Sequence, residues 1–578
     1  MALGRAAAAY LLKQTSMRIL LLCHSFNSLS QRLHVDLREL GHMVSVELDI
    51  HDDLTREAVA LFQPDLIIAP FLKRAIPADV WQQVLTLIVH PGIRGDKGPN
   101  ALDWAILDNE SRWGVTLIEA RAEMDAGPVW AWREFAMRPA TKSSLYRQEV
   151  TEAAVACVLE ALERMAAGNA EPLAARNDGS GVVRGAVPAA CRMLDPQKMS
   201  AEEALTIIRA SDGDPGAGLT VGDKTYRVFN ACLAEDLSGA PGRLLGSDGR
   251  CVAVAFCEGA LWIGHARESG KNRLKLPAAN VFADCALLPK LDAPQNMTYT
   301  EARGVGIIRF NFYNGAMSVA DCNALRQIVA AVRQRPLKVL VLIGSADCWS
   351  NGIHLSVIES ANSPADESWS NINAMNDLVR EIILAQDRIV LAGLTGNAGA
   401  GGVFLSLAAD RVLMREGVIL NPHYKDMGNL YGSEYWTYLL PMRVGEARAR
   451  TVTQARLPMG IEEALRLGLA SARLPRNPAA ADAALLDYAF ALAQNPAIDD
   501  IISEKAERRN RDEAAKPLAA YREEELVRMK KNFYGFDPSY HVARHNFIRK
   551  VPKSRTPVTL AIHRAMGADN RSTGGRTR

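Results

Sequence analysis

The sequence carries little that would tie it to a metal, a nucleic acid or a membrane. Its nine cysteines are scattered singly through 578 residues, with no Cys-x-x-Cys pair and no Cys/His cluster at metal-ligand spacing. This excludes a disulfide framework and a structural zinc centre, so no metal site is expected. Reduced thiols in a cytoplasmic protein are the simplest reading. The formal net charge is +2, which gives no reason to expect a nucleic-acid partner. There is no apolar run of about 18 residues, so no membrane-spanning helix is expected. The opening "MALGRAAAAYLLKQTSMRILLLCH" resembles a signal peptide only until Lys13 interrupts it. Residues 1–16 read instead as an extension ahead of a first strand at Met17. The last thirty residues carry excess Arg and Lys, include "STGGRTR", and are expected to form a disordered tail.

What is present is an ordinary globular composition, 48% hydrophobic and 23% charged, long enough for several domains. The expected fold class is α/β multidomain, in four parts. Residues 17–190 alternate strand and helix: "RILLLC", "QRLHVDLREL", "MVSVELD", "LTREAVALF", then "PDLIIAP", a strand with the continuous apolar run of one buried on both faces. Such units build a Rossmann-like parallel sheet. The turn-rich stretch Ala174–Leu194 reads as a linker. Residues 191–292 open with a capped helix, Ser200 with Glu203, and continue as short alternating runs, the pattern of a small OB-like β-barrel. Residues 300–480 return to strand and helix, with "GVGIIRFNF", "KVLVLIGSAD" and "RIVLAGLTG" as strands. The helix Asn371–Gln386 places Met375, Leu378, Val379, Ile382 and Ile383 on one face. Residues 481–560 are helical, and their intermixed charges read as a solvated face.

The glycine-rich stretch "TGNAGAGGVFLSLAAD" (Thr395–Asp410) follows a strand and opens a helix, as a phosphate cradle would. It has neither the Lys nor the Ser/Thr of a P-loop, and Gly396, Gly399, Gly401 and Gly402 are wrongly spaced for a dinucleotide fingerprint. Its glycines still let the backbone approach a ligand closely, and a helix N-terminus behind Gly401 favours negative charge.

A first candidate site lies in "LTLIVHPGIRGDKGPNALDWAILDNESRWGVTLIEARAEMDAGPVW" (Leu85–Trp130). His90 ends a strand at the carboxyl edge of the sheet, and Asp125 lies in a later turn; together they could carry protons near neutral pH. His90-Pro91, Gly95, Pro99, Trp104-Ala105, Gly114-Val115-Thr116 and Asp125-Ala126-Gly127 resemble the 10-formyltetrahydrofolate-dependent formyltransferases, and the resemblance extends over about residues 17–290. It implies 10-formyltetrahydrofolate as formyl donor, His90 and Asp125 as catalytic residues, and folate contacts on loops that include Leu72, Arg94 and Pro99. One position departs. The family has an Asn two residues before the His to polarise the formyl oxygen, and here Ile88 stands in its place.

The glycine loop resembles the crotonase (enoyl-CoA hydratase/isomerase) family instead. On that resemblance Gly401 and Ile353 supply the backbone donors of an oxyanion hole for a coenzyme A thioester, and Asn351, Gly352 and Gly402 shape the CoA site. His354 stands where that family commonly has Asp. The two hydratase glutamates are missing: Phe404 occupies the first position and Tyr424, in "NPHYKDMG", the second. Tyr424 with Glu434, and less directly His423, Tyr431 and Tyr435, are the polar groups left to handle protons. Aromatic packing is the plainer reading of Tyr431, Tyr435 and Trp436.

A formyl-folate half joined to a CoA half resembles the nickel–iron hydrogenase maturation proteins that combine these two folds, along nearly the whole chain. That resemblance implies synthesis of the carbon monoxide ligand of the hydrogenase iron: formyl passes from the folate to CoA, and formyl-CoA is broken into CO and CoA, with other maturation proteins as partners. Two alternatives stay open: a formyltransferase for another acceptor that merely binds CoA, and a non-catalytic scaffold.

Overall fold

The computed structural model describes residues 16–174, 182–270, 273–283 and 285–566. The N-terminal extension, the middle of the Ala174–Leu194 linker and the "STGGRTR" tail fall outside those residues. The chain forms two compact units, Met1–Ala293 with Pro552–Arg578, and Pro294–Val551.

The first unit contains a six-stranded sheet of β1 (Arg18–Cys23), β2 (Met43–Leu48), β3 (Leu66–Phe71), β4 (Thr86–His90), β5 (Arg112–Glu119) and β6 (Val129–Ala136), in the order β2-β1-β3-β4-β5-β6. The first four run parallel, and β5 and β6 are antiparallel to their neighbours. The apolar runs of β1 and β3 are buried almost throughout, as strands covered on both faces require. The smaller module carries the helix Ala201–Ser211. The Ser200 hydroxyl accepts from Glu203 N–H, and the Glu203 carboxylate reaches back to Ser200 N–H at 2.8 Å. A seven-stranded, mainly antiparallel sheet of the OB-like barrel type packs on it.

The second unit is built on a sheet ordered Met297–Ala302, Val305–Phe310, Val339–Ile343, Ile389–Leu394, Arg411–Arg415, Ala472–Leu474, parallel after its first pair. A smaller three-stranded parallel sheet, Cys348–Ser350, Asn397–Gly399 and Leu420–Asn421, holds the turns that form the second candidate site. This is the crotonase-like α/β domain. The central helix spans Pro364–Ile383 rather than Asn371–Gln386, because Ser363 caps it and Pro364 fits its first turn. Its five expected core residues are all buried.

Two expectations are corrected. The mixed-charge helices beyond residue 480 are not simply a solvated face. Lys505 is buried, its ammonium 2.7 Å from the carbonyls of Ala385 and Arg388 and 2.6 Å from Asp410, and Glu525 is buried on the helix Leu518–Tyr534. Nor are the last thirty residues a free tail throughout. Val46 N–H donates to the Leu560 carbonyl at 3.0 Å, and Leu48 N–H to the Thr556 hydroxyl at 2.8 Å. His563 bridges Ser45 (2.7 Å) and Glu47 (3.1 Å). Residues 556–563 thus cover the open edge of β2, whose amides would otherwise be unpaired.

Candidate active site

The first cluster forms where β4 ends. His90 is 5% exposed and lies between two carboxylates: Nε2 is 3.0 Å from Asp96 Oδ2, and Nδ1 is 3.7 Å from Asp125 Oδ1. Asp125 takes a left-handed backbone (φ 53°), and its Oδ2 accepts from Gly98 N–H at 3.2 Å. Fixed by a carboxylate on each side, the imidazole has its ring orientation set, as a proton carrier requires. Two glycines make the approach possible. A Cβ on Gly92 would lie 2.3 Å from His90 Nε2, and one on Gly127 would lie 1.7 Å from the Glu119 carbonyl oxygen. Gly127→Ala is therefore expected to destabilise the protein by about 2–4 kcal/mol, as thermal unfolding would show.

Ile88, two residues before His90 and on the same strand face, presents a half-buried alkyl group where the formyltransferase pattern has an amide. Of the other positions named on this side, Leu72 packs half-buried against the core that includes Leu20, Leu22 and Ile67. Arg94 donates to the Ala174 carbonyl at 2.7 Å, and Pro99 is exposed. Asp96 escaped sequence reading although it stands only six residues after His90. Nothing in "PGIRGD" announces that the chain doubles back.

The second cluster is assembled from four segments of the second unit. Gly401 is the first residue of the helix Gly401–Leu407, so its N–H has no intrahelical partner. The turn before it is strained, with Ala400 at φ 47°, and Gly352 has φ 81°. A Cβ on Gly352 would come within 3.3 Å of Gly401 N, and one on Gly402 would lie 2.0 Å from the Ser350 carbonyl. Trp349 Nε1 ties the two segments by donating to the Gly402 carbonyl at 2.9 Å. Asn351 is half structural: its Nδ2 donates to the Asn314 carbonyl at 2.9 Å. His354 caps the helix Leu355–Ser360 through Nδ1, which accepts from Val357 N–H at 3.3 Å. Burial lowers its pKa, so a neutral cap stands where the crotonase pattern commonly has an acid.

Against this backbone lies Glu434. A Cβ on Gly401 would sit 2.3 Å from Glu434 Oε1. The other oxygen, Oε2, accepts from the Tyr424 hydroxyl at 2.6 Å and from Ser433 N–H at 3.1 Å. Glu434 is 1% exposed, and burial raises its carboxyl pKa to about 7; burial and the Glu434 charge hold the Tyr424 phenol well above its usual range. Two buried groups joined by a short hydrogen bond can pass a proton between them near neutral pH. Phe404 stacks face to face on Tyr424, centroids 5.3 Å apart and planes 13° from parallel, so the first of the absent hydratase acids is replaced by a wall for the ring at the second. Gly401→Ala would push a methyl onto the carboxylate; on the crotonase resemblance it is expected to cut turnover of a CoA thioester by about 10²-fold or more.

The neighbouring aromatics divide. Tyr431 and Trp436 meet at 5.4 Å and, with Tyr424, Lys425 and Arg450, line a cavity of about 220 Å³. Tyr435 is a buried helix N-cap at φ 57°. His423 is buried with a depressed pKa, and its Nδ1 finds no partner among the described residues. Two residues that sequence reading missed complete the shell. Asn376 Oδ1 accepts from Glu434 N–H at 2.8 Å, and Glu525 binds the same turn from below. A signal existed for Glu525: it lies on the buried stripe of its helix with Leu518, Met529 and Phe533, an acid among apolar neighbours. Among the described residues no group of His, Cys, Asp or Glu could hold a metal, and no helix is long and apolar enough to cross a membrane.

Known proteins match both halves. The family Enoyl-CoA hydratase/isomerase matches residues 301–533, and the formyl transferase C-terminal domain matches residues 192–281. Methionyl-tRNA formyltransferase of Lactobacillus delbrueckii is 31% identical over 161 residues, 28% of this chain and 50% of that protein. The hydrogenase maturation factor HoxX of Bradyrhizobium diazoefficiens is 55% identical over 564 residues, covering 96% of this chain and 99% of that one. Crystalline HypX from Aquifex aeolicus, in complex with tetrahydrofolic acid, superposes with a TM-score of 0.91 at 46% identity, covering 95% of this chain and 99% of that chain. With near-complete coverage in sequence and structure, the chain belongs to the HypX/HoxX family of hydrogenase maturation factors.

Proposed function

We propose that this chain makes carbon monoxide for hydrogenase maturation: it takes formyl from 10-formyltetrahydrofolate, transfers it to coenzyme A, and splits formyl-CoA into CO and CoA. The observation that carries this reading is the Tyr424–Glu434 pair, pressed against Gly401 in a site where both hydratase acid positions hold other residues. Formyl-CoA has no β-carbon, so those two acids would have nothing to act on. What its cleavage needs is a group that takes the formyl proton and returns it.

At the first cluster, His90 between Asp96 and Asp125 is the group to move protons as the CoA sulfur attacks the formyl carbon. A thiolate is a stronger nucleophile than a neutral amine, which lowers the demand for the missing carboxamide at Ile88. At the second cluster the backbone N–H groups of Gly401 and Ile353 would polarise the thioester carbonyl, with Asn351, Gly352 and Gly402 shaping the CoA site. Glu434 Oε takes the formyl proton; the C–H electron pair stays on carbon as the C–S pair leaves with sulfur. Carbon departs as CO, and the proton returns from Glu434, through Tyr424, to the thiolate. Atoms and charge balance: formyl-CoA gives CO and CoA-SH.

The test is to incubate the protein with 10-formyltetrahydrofolate and CoA, with haemoglobin as a CO trap. Carboxyhaemoglobin and free tetrahydrofolate in equal amounts are expected. Formyl consumed without CO would point to another acceptor, and no folate turnover would point to a scaffold; either overturns the reading.

A further inference from the structure

Glu525 lies 91 positions beyond Glu434 in the sequence, on the helix Leu518–Tyr534, with no surface exposure. Its carboxylate faces four donor groups, one of which, the Ser433 hydroxyl, is shared with Asn376 Oδ1 at 3.0 Å. Oε2 accepts from Ser433 Oγ (3.1 Å) and Tyr435 N–H (3.0 Å); Oε1 accepts from Thr437 N–H (2.9 Å) and Thr437 Oγ1 (2.6 Å). These donors are the start of the helix Trp436–Val444, whose N-cap, Tyr435, makes no side-chain cap of its own. Glu525 therefore supplies from another helix the cap this one lacks.

The capped turn is costly. Gly432, Glu434 and Tyr435 all have positive φ, at 90°, 60° and 57°. For the two side-chain-bearing residues that conformation persists only where the surroundings over-determine it. The determinants are Asn376, holding Glu434 N–H, and Glu525, holding the residues on either side. The conformation they impose is the one that aims Glu434 at Gly401 and Tyr424.

The two buried carboxyls also differ in kind. Glu525 has three donors and a share of the Ser433 hydroxyl, all from its turn, and Glu434 has the Tyr424 hydroxyl and Ser433 N–H. Glu525 is thus spent on holding its turn, while Glu434 keeps Oε1 against Gly401. We propose that Glu525 is the positioning residue of this site: bound to the residues on both sides of Glu434, it locks the 432–437 turn and holds the Glu434 carboxyl buried against Gly401 and Tyr424, where it can both take and return a proton. Burial raises both carboxyls to about 7, and the Glu434 charge adds to the shift of Glu525, so a loosened turn that lets water reach Glu434 would lower its pKa. The other titratable groups facing the pair are Tyr424, Tyr431, Tyr435 and the Cys322 thiol, all raised and neutral. The nearby cation Arg522 is bound to Asp377 and Asn373, at 2.6 and 2.9 Å.

This rests on Tyr424 and Glu434 as the proton-handling pair, and the experiment separates the two claims. In the full-length protein, the infrared stretch of a protonated carboxyl group is followed against pH alongside CO release from added formyl-CoA. The wild type should show a band titrating near pH 7 that Glu434→Gln removes. Glu525→Gln should move that titration, and the pH profile of kcat, about one unit to the acid side, with KM little changed. Thr437→Val, which leaves Glu525 in place and deletes its shortest hydrogen bond, should shift both the same way by less, and Thr437→Ser should restore them; this pair decides the matter if Glu525→Gln does not fold. Band and profile unmoved in folded Glu525→Gln, or in Thr437→Val, would overturn the role of Glu525. CO release that survives Glu434→Gln would instead remove Glu434 from the chemistry, whatever Glu525 does.

Discussion

Glu434→Gln is expected to lower CO release from added formyl-CoA by about 10²–10⁴-fold, the usual reach of a general acid–base group, while formyl-CoA accumulates when the same variant is given 10-formyltetrahydrofolate and CoA. The amide is nearly isosteric, and its oxygen can still accept from the Tyr424 hydroxyl and from Ser433 N–H, so the turn keeps its shape. What it loses is the capacity to take a proton. Tyr424→Phe should be milder: Phe404 still stacks on the ring, and Glu434 keeps the Ser433 N–H, but the proton's return path to sulfur is cut. Accumulated formyl-CoA also distinguishes a blocked second step from a failed first one, because His90, Asp96 and Asp125 are untouched. CO release that persists in both variants would remove the pair from the mechanism.

The same substitution should make the protein more stable at pH 8, by about 2–3 kcal/mol. The sign follows from the direction of the shift. An ordinary glutamate titrates near 4.5 and Glu434 at about 7, so the folded state binds its proton more tightly than the unfolded chain does. The stabilisation this represents is fully present below about pH 4.5 and disappears as pH rises through about 7. Glu525, raised to about 7 by its own burial, acts in the same direction. Wild-type stability should therefore fall between pH 5 and 8, and Glu434→Gln should flatten that decline, visible as denaturation midpoints at several pH values. A wild-type midpoint that rises over this range would contradict the burial of these carboxyls. The gain expected at pH 8 is the stability the protein gives up to keep an ionisable carboxyl in an apolar site.

Much of this was legible in the residues. Binary patterns marked the strands of both large sheets, and Ser200 with Glu203 marked a helix start that the structure reproduces. The spacing of glycines argued against a phosphate loop, and the crotonase resemblance set Phe404 and Tyr424 at the two acid positions. What could not be read was whatever depends on chain reversal or on distant partners. Asp96 reaches His90 only because Pro91 and Gly92 fold the chain back. Glu525 was concealed by the rule that mixed charges mean solvent. That rule holds for most of its helix and fails at the one position facing Tyr435 and Thr437. His354 shows the opposite limit: the sequence showed that an acid was missing, but only the backbone showed that its replacement is a helix cap.

The covering of β2 by residues 556–563 has a consequence for synthesis. The edge strand β2 is closed by residues made more than 500 positions after it. Between those moments β2 presents unpaired amides to whatever is nearby, the circumstance in which strands pair with the wrong chain. A chain released short of His563 would carry this sheet still open at one side.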